Sequence, residues 1–296
     1  MISAQQVKEL RETTGAGMMD CKKALVECNG DMEKAIVWLR ERGIAKAAKK
    51  EGRIAAEGVC TYAVEGNVAA VYELNSETDF VAKNPLFTAL CEKVGKAILA
   101  CKASNDEEAK EAVFEGEKVS DMLVNAVATI GEKITLRRVA LYTKEENQVF
   151  GAYSHMQGKI IAFAVLNGSN EEVAKDVCMH VAAMSPKFLS KEFVDQAYLA
   201  SETEIIKQEA LNENAKAAKP KPEAIIEKMG EGRVNKMLKE ICLVDQPFVK
   251  NPDETVGQYV KNHGCEIALY VRLGVGEGIE KKKDDFVAEV MAAVNK

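Results

Sequence analysis

The sequence predicts an α+β fold in four parts. An N-terminal three-helix domain precedes a core made of two copies of a hairpin-plus-helix unit. A helical hairpin is inserted into the second copy, and a C-terminal helical module ends the chain. Two observations lead to this prediction. Apolar spacing changes from a helical period to the two-residue period of strands at Gly58. Residues 66–84 then recur as residues 158–176, at an offset of 92 and with seven of nineteen positions identical.

Short helices joined by glycine turns are predicted in the first 43 residues. Ser3 begins a capping box (Ser-x-x-Gln), and Gly15 breaks the helix that follows it. A second helix is predicted from Met18 to Cys28, and Asp31 can cap a third. Three helices in so short a segment resemble a small bundle of the ubiquitin-associated (UBA) type. With its linker, this domain is predicted to end at residue 54.

Residues 40–53 carry six basic and two acidic side chains. A solvated helical linker is the simpler interpretation of this charge run. An RNA-binding patch is the alternative, and it corresponds to a different function, that of an RNA-binding adaptor. RNA binding with a steep salt dependence would favour that alternative.

The first half of the core is predicted over residues 55–147. Strands at 59–64 and 68–74 flank a Glu-Gly-Asn turn and form a β-hairpin. Apolar residues then recur at helical spacing between Phe87 and Cys101, and another strand runs from 134 to 142. This order of elements predicts a helix packed on an antiparallel sheet.

The second half of the core is predicted over residues 148–275, interrupted by the insert at 187–229. A Lys-Pro-Lys-Pro turn separates the two helices of the insert. The C-terminal module covers 276–296. The other predicted elements are a helix at 190–219, a helix at 223–240, a strand at 265–273 and an amphipathic helix from Asp284.

Composition and charge narrow the classes of function. Of the 296 residues, 47% are apolar and 29% are charged, a composition that excludes wholesale disorder. The net charge of −6 argues against a protein that coats nucleic acid. No charge-free run approaches the ~18 residues of a membrane span, and the N-terminus lacks a secretory pattern. The eight cysteines show no C-x-x-C spacing, so we expect reduced thiols that fill the core. The chain is predicted to be cytoplasmic, with neither a membrane nor a nucleic acid as partner.

Motifs for catalysis, cofactors and metals are absent from the sequence. The three histidines are far apart, no G-x-S-x-G elbow occurs, and neither Gly-Lys step is followed by the Ser or Thr of a phosphate loop. The glycine-rich run 274–278 contains Glu277, which would repel a phosphate, so a turn is predicted there. We therefore expect no catalytic residues, no cofactor and no metal. A metabolic enzyme is the rival class, and release of product from a small-molecule substrate would reveal it.

Two segments stand out as candidate binding surfaces. Met18 and Met19 follow a glycine turn, where methionine either fills a core or forms a docking surface. Phe80 follows Asp79 in the loop after the first hairpin, where the repeat has Glu172. A position that accepts glutamate in one copy faces solvent. Phe80 is therefore predicted to be an exposed aromatic anchor for a partner.

Longer motifs around these residues resemble those of the elongation factor Ts family, the guanine-nucleotide exchange factors of elongation factor Tu. Residues 14–25 (TGAGMMDCKKAL) match one family signature in full. Residues 75–84 (NSETDFVAKN) match the second except at Ser76, where the family usually has cysteine. Further matching segments lie at 181–183, 246–249 and 275–280. The resemblance therefore covers essentially the whole chain.

The resemblance implies a function without chemical catalysis. The protein would bind GDP-bound and nucleotide-free elongation factor Tu and promote GDP release by displacing Mg²⁺. The family's positions for docking on the G domain of Tu are occupied by Arg11, Met18 and Met19. The segment that intrudes beside the Mg²⁺ is matched by Thr78, Asp79, Phe80 and Val81. By position, His155 would touch another domain of Tu, the terminal helix would pack on the G domain, and the insert would allow a homodimer.

Overall fold

The computed structural model describes residues 2–217 and 219–280, which form two compact units. The first unit comprises the chain up to Thr143, residues Met156–Ile160 and the chain from Leu273. The second unit comprises Lys144–His155 and Ile161–Arg272. Within the described ranges, no helix is both long enough and apolar enough to cross a membrane.

Three helices pack around a small apolar core at the N-terminus. They are α1 (Ala4–Thr14), α2 (Met18–Glu27) and α3 (Met32–Lys50). The predicted caps are confirmed, because the Ser3 side chain accepts a hydrogen bond from the Gln6 N–H and Asp31 accepts one from the Lys34 N–H. The buried residues of this core are Val7, Leu10, Cys21, Ala24, Leu25 and Ala35.

The rest of the first unit is an antiparallel sheet with helices packed on it. Its elements are β1 (Glu57–Glu65), β2 (Val68–Ser76), α4 (Asp79–Ala82), α5 (Pro85–Cys101), α6 (Asp106–Glu111), β3 (Val113–Phe114), β4 (Glu117–Lys118), α7 (Val119–Ile130) and β5 (Thr135–Thr143). The main sheet has the order β1-β2-β5. The predicted hairpin, long helix and third strand of this half are confirmed, each to within two residues.

Helix α5 approaches the sheet closely. Phe87 and Ile98 of this helix are fully buried in the core of the unit, and burying such a side chain contributes about 1.5–3 kcal/mol. The Tyr72 hydroxyl of β2 donates a hydrogen bond to the Cys91 carbonyl oxygen at 2.8 Å. A Cβ at Gly95 would overlap that hydroxyl. Glycine at position 95 therefore permits the close packing.

The basic segment 40–53 is helical as far as Lys50, as the sequence predicts, but it also packs on a second helix. Helix α3 continues through most of it and packs on α7. Gly43 is buried there, and a Cβ at this position would lie 3.3 Å from the Ala128 Cβ. The Arg40 guanidinium pairs with Asp121 at 2.7 Å. The sequence does not reveal this packing, because the partner helix lies far along the chain.

The second half of the core repeats the topology of the first. Its elements are β6 (Gln148–His155), β7 (Ile160–Asn167), α8 (Glu171–Met184), a 3-10 turn (Lys191–Phe193), α9 (Gln196–Ala215), α10 (Glu223–Ile241), a second 3-10 turn (Leu243–Asp245), β8 (Pro247–Phe248), β9 (Asn251–Thr255), α11 (Val256–Asn262) and β10 (Glu266–Gly274). Its sheet has the order β6-β7-β10. In each half the second hairpin strand is central, so the predicted duplication is confirmed.

The first inserted helix and the end of the insert differ from their predicted bounds, whereas the helix predicted at 223–240 is confirmed to within one residue. Helix α9 begins at Gln196, not at residue 190, because a 3-10 turn occupies the preceding residues. Helix α10 runs to Ile241, so the predicted end of the insert at residue 229 falls inside a helix. The terminal helix predicted from Asp284 lies outside the described residues.

The eight cysteines are free thiols, and six are buried, as predicted. The buried ones are Cys21, Cys60, Cys91, Cys178, Cys242 and Cys265. Burial raises the pKa of Cys91 to about 12, so this thiol stays protonated and unreactive. Core filling is the wrong prediction for Cys101, which is exposed because it lies at the C-terminal end of α5.

Candidate protein-docking site

The loop that carries Phe80 is a sharply bounded turn between β2 and α5. The Thr78 hydroxyl caps α4 by accepting a hydrogen bond from the Val81 N–H at 3.4 Å. Helix α4 is a single turn. Asn84 then caps α5, whose first residue is Pro85. Proline suits a first helical position but cannot continue a preceding helix, so a new helix begins there.

The second half of the core has no such interruption. Helix α8 begins at Glu171, the repeat equivalent of Asp79, and continues without a break to Met184. Phe80 is 80% exposed, and its equivalent Glu172 is exposed as well. The prediction that Phe80 faces solvent is therefore confirmed. Its aromatic side chain does not fill the core.

The neighbours of Phe80 face in different directions. Asp79 is half-buried, and its carboxylate pairs with the Lys83 ammonium at 3.2 Å. Val81 is only 8% exposed and packs in the core of the first unit, as its repeat equivalent Val173 packs in the second half. Val81 therefore exposes little of its surface. It anchors the turn.

Two carboxylates fix the start of the loop. Glu132 accepts hydrogen bonds from the N–H groups of Glu77 and Thr78 at 3.0 and 2.9 Å, and from the Thr78 hydroxyl at 2.7 Å. In return, the Glu77 carboxylate accepts a hydrogen bond from the Lys133 N–H at 2.6 Å. Gly131 ends α7 with a φ of +90°, which glycine adopts without strain. Residues 77–78 and 132–133 thus hold each other reciprocally.

The end of α3 meets the same two loops. Arg53 pairs with the Glu77 carboxylate at 3.1 Å. The Lys133 ammonium donates a hydrogen bond to the Arg53 carbonyl oxygen at 3.0 Å, and the Lys50 ammonium contacts the Gly131 carbonyl oxygen. The third N-terminal helix is therefore tied directly to the base of the aromatic loop.

These contacts account for most of the basic run at 40–53. Five of its six basic side chains have partners within the first unit: Arg40 with Asp121, Arg42 with Trp38, Lys46 with Asp20, Lys50 with the Gly131 carbonyl and Arg53 with Glu77. Side chains engaged in this way offer less charge to a phosphate backbone.

A second exposed surface lies at the start of α2. Met18 and Met19 are 56% and 75% exposed, so they do not fill the core of the N-terminal helices. Arg11 on α1 is exposed too. Flexible thioethers in solvent suit docking against another protein.

His155 is the predicted site residue that lies apart from the others. It is the last residue of β6, in the second unit, and it is exposed. Its ring stacks on Tyr153, with the two centroids 6.1 Å apart. The other predicted site residues all belong to the first unit.

Sequence reasoning missed the residues that hold the loop, above all Glu132. The available signal was Gly131, a helix-ending glycine followed by charged residues, but nothing local indicates which loop those charges face. Over the ranges that the structure describes, no group of three or more His, Cys, Asp or Glu side chains could hold a metal ion.

Comparisons with known proteins agree with the motifs around these surfaces. The family model described as Elongation factor TS matches residues 77–277, a range that begins at the Phe80 loop. A curated protein of Acholeplasma laidlawii (strain PG-8A), Elongation factor Ts, is 52% identical over 296 residues. That alignment covers 100% of this chain and 99% of the relative.

Proposed function

Because this chain belongs to the elongation factor Ts family of translation elongation factors, we propose that it binds elongation factor Tu and accelerates the release of GDP. The observation that supports this proposal most directly is Phe80, an 80% exposed aromatic side chain on a loop whose base is fixed by hydrogen bonds. A large apolar side chain that serves no core packing suits a partner's pocket.

In the proposed mechanism, the Phe80 loop enters Tu beside its bound Mg²⁺. The ion bridges phosphate oxygens and protein hydroxyls, so displacing its ligands removes much of the hold on GDP. Each ~1.4 kcal/mol taken from the dissociation barrier is about a tenfold gain in rate. By linkage, a factor that weakens GDP binding is itself released when nucleotide rebinds. No covalent bond changes, so the protein acts as an exchange factor and not as an enzyme.

Other surfaces have supporting roles in this proposal. Arg11, Met18 and Met19 dock on the G domain of Tu, while His155 contacts a different domain of the same partner. The helical hairpin α9–α10 is proposed as a dimerisation region. The separation of these surfaces along the chain is consistent with a partner held at several points.

The experiment that tests this function measures release of labelled GDP from Tu with and without the protein. The decisive variant is Phe80→Glu, which copies the residue of the second repeat into the first. Because Glu172 is tolerated, the free energy of unfolding should change by no more than about 0.5 kcal/mol. GDP release should slow by at least about tenfold, since a charged side chain cannot fill an apolar pocket.

The matched control is Val113→Glu, which places the same charge on an apolar residue of β3 that is 47% exposed and lies outside the proposed binding surfaces. It should exchange GDP at the normal rate. If the unaltered protein does not speed GDP release, the proposed function is wrong. If Phe80→Glu is stable and fully active, Phe80 has no part in the mechanism.

A further inference from the structure

We propose that Glu132 is a positioning residue that holds the Phe80 loop in the shape needed for nucleotide exchange. This inference rests on the proposed function, because the loop has this task only if the protein acts on elongation factor Tu. Glu132 lies outside the Phe80 motif, on the segment that follows α7.

The first step of the argument is that α4 cannot hold its own shape. A single helical turn of four residues is far below the length at which helices persist in isolation. Phe80 cannot stabilise the turn either, because four fifths of its surface is in solvent. The conformation of α4 must therefore come from Val81, which is buried beneath it, and from the contacts at its N-terminus.

The second step concerns the direction of the hydrogen bonds at that N-terminus. A threonine hydroxyl has one proton to donate and lone pairs with which to accept. At Thr78 the proton goes to Glu132 at 2.7 Å, which leaves a lone pair for the Val81 N–H. The carboxylate therefore sets the hydroxyl in the orientation that caps α4. It also accepts the N–H groups of Glu77 and Thr78, so one side chain fixes three donors of the loop.

The third step is energetic. Hydrogen bonds to a charged acceptor are stronger than neutral ones, and losing the acceptor leaves partly buried donors unpaired. A loop held in its binding conformation also avoids the entropy cost of ordering when the partner arrives. Glu132 therefore prepares the loop for insertion through its hydrogen bonds to residues 77 and 78.

The test replaces the acceptor while keeping its shape. Glu132→Gln is nearly isosteric, but its side-chain amide is neutral. One of the two acceptor oxygens is replaced by an NH2 group, which cannot accept the proton of the Thr78 hydroxyl. Hydrogen exchange of the free protein should show at least about tenfold faster exchange in peptides covering residues 76–81, because a neutral amide oxygen holds the two N–H groups more weakly and the Thr78 hydroxyl loses its acceptor. The matched control is Glu108→Gln, since Glu108 accepts the N–H and the hydroxyl of Ser104 in a different loop.

The functional readout is the rate of GDP release from Tu as a function of protein concentration. Glu132→Gln should lower the rate at saturation by about tenfold and change the half-saturating concentration less, because docking through the N-terminal helices is retained. Glu132→Asp keeps the charge and should recover part of the rate. In a Phe80→Ala background, Glu132→Gln should slow release no further.

The results that would contradict the positioning role differ from the result that would contradict the proposed function. If Glu132→Gln leaves exchange at residues 76–81 unchanged, or slows GDP release equally in the Phe80→Ala background, the positioning role is wrong. If the Glu108→Gln control reduces GDP release as much as Glu132→Gln, the effect is one of general stability and the inference is again wrong. If the unaltered protein does not speed GDP release at all, the proposed function fails first.

Discussion

His180 is a buried histidine whose two ring nitrogens have opposite roles. Its Nε2 lies 2.9 Å from Oε1 of Gln246, which accepts, and its Nδ1 accepts a hydrogen bond from the Val249 N–H at 3.2 Å. The Gln246 amide is oriented by its own hydrogen bond to the Glu240 carbonyl oxygen at 2.6 Å. The ring is therefore neutral, and burial lowers the pKa of His180 below its ordinary value.

Acid should therefore destabilise the protein through His180. In the unfolded chain the pKa of histidine is about 6.5, so below that pH the unfolded state binds a proton that the folded state rejects. The free energy of unfolding should fall as the pH decreases from about 6.5 towards the lower folded pKa. Urea denaturation at about pH 7.5 and about pH 5 measures this loss, which His180→Gln should reduce. His155→Gln, at an exposed site, should retain it, and an unchanged loss in His180→Gln contradicts the prediction.

At the scale of elements, the packing of α3 on α7 sets the base of the Phe80 loop. The two helices approach at Gly43, whose neighbour across the contact is Ala128. Gly232, in α10, is also a helical glycine but has nothing within 4 Å of its Cβ position. These two sites separate intrinsic helix propensity from packing.

Replacing each glycine by leucine should have opposite effects. A leucine in a helix interior is favoured over glycine by about 0.5–1 kcal/mol, so Gly232→Leu should stabilise α10. Gly43→Leu should destabilise by about 1–3 kcal/mol, because the larger side chain overpacks the contact with α7. Hydrogen exchange measures the stability of each unit separately, so it gives the change in free energy of unfolding for each of the two variants. Stabilisation by Gly43→Leu would mean that the α3–α7 contact is loose enough to accept a side chain.

The elements that the sequence predicts well depend on local chemistry. The capping box at Ser3, the β-hairpin and the repeat all leave patterns within a few residues, and the repeat also predicted the exposure of Phe80. The contacts of α3 leave no such pattern. Arg40 pairs with Asp121, which lies 81 residues further along the chain, so nothing near Arg40 in the sequence indicates its partner. Glu132 likewise bonds residues 77 and 78, which are more than 50 positions away in the sequence. The motif does not predict the burial of Val81, because it does not tell which of two adjacent side chains faces the core.

At the scale of the whole molecule, Glu73 fastens the last described segment of the chain to β2. It is fully buried, and its carboxylate forms ion pairs with the Arg137 and Arg138 guanidinium groups at 3.1 and 2.7 Å. It also accepts a hydrogen bond at 2.7 Å from the N–H of Gly276, a residue that lies 203 positions further along the chain. Arg138 donates in addition to the Gly274 carbonyl oxygen at 2.6 Å. The chain is thus held to the first unit after it returns from the second.

Glu73→Gln should therefore destabilise the first unit and release residues 274–278. The variant removes the buried anion that neutralises two guanidinium groups, although Arg138 keeps its ion pair with Glu277 at 3.2 Å. Breaking a fully buried pair costs about 3–5 kcal/mol, which is the upper bound for this partly exposed cluster. Urea denaturation measures the loss, and hydrogen exchange at Gly276 shows whether the segment detaches. The control is Glu213→Gln, whose carboxylate pairs with Arg233 in solvent and should leave stability nearly unchanged. If both variants change stability equally, water screens the Glu73 ion pairs as it does a surface pair. The prediction that Glu73 holds residues 274–278 to β2 is then wrong.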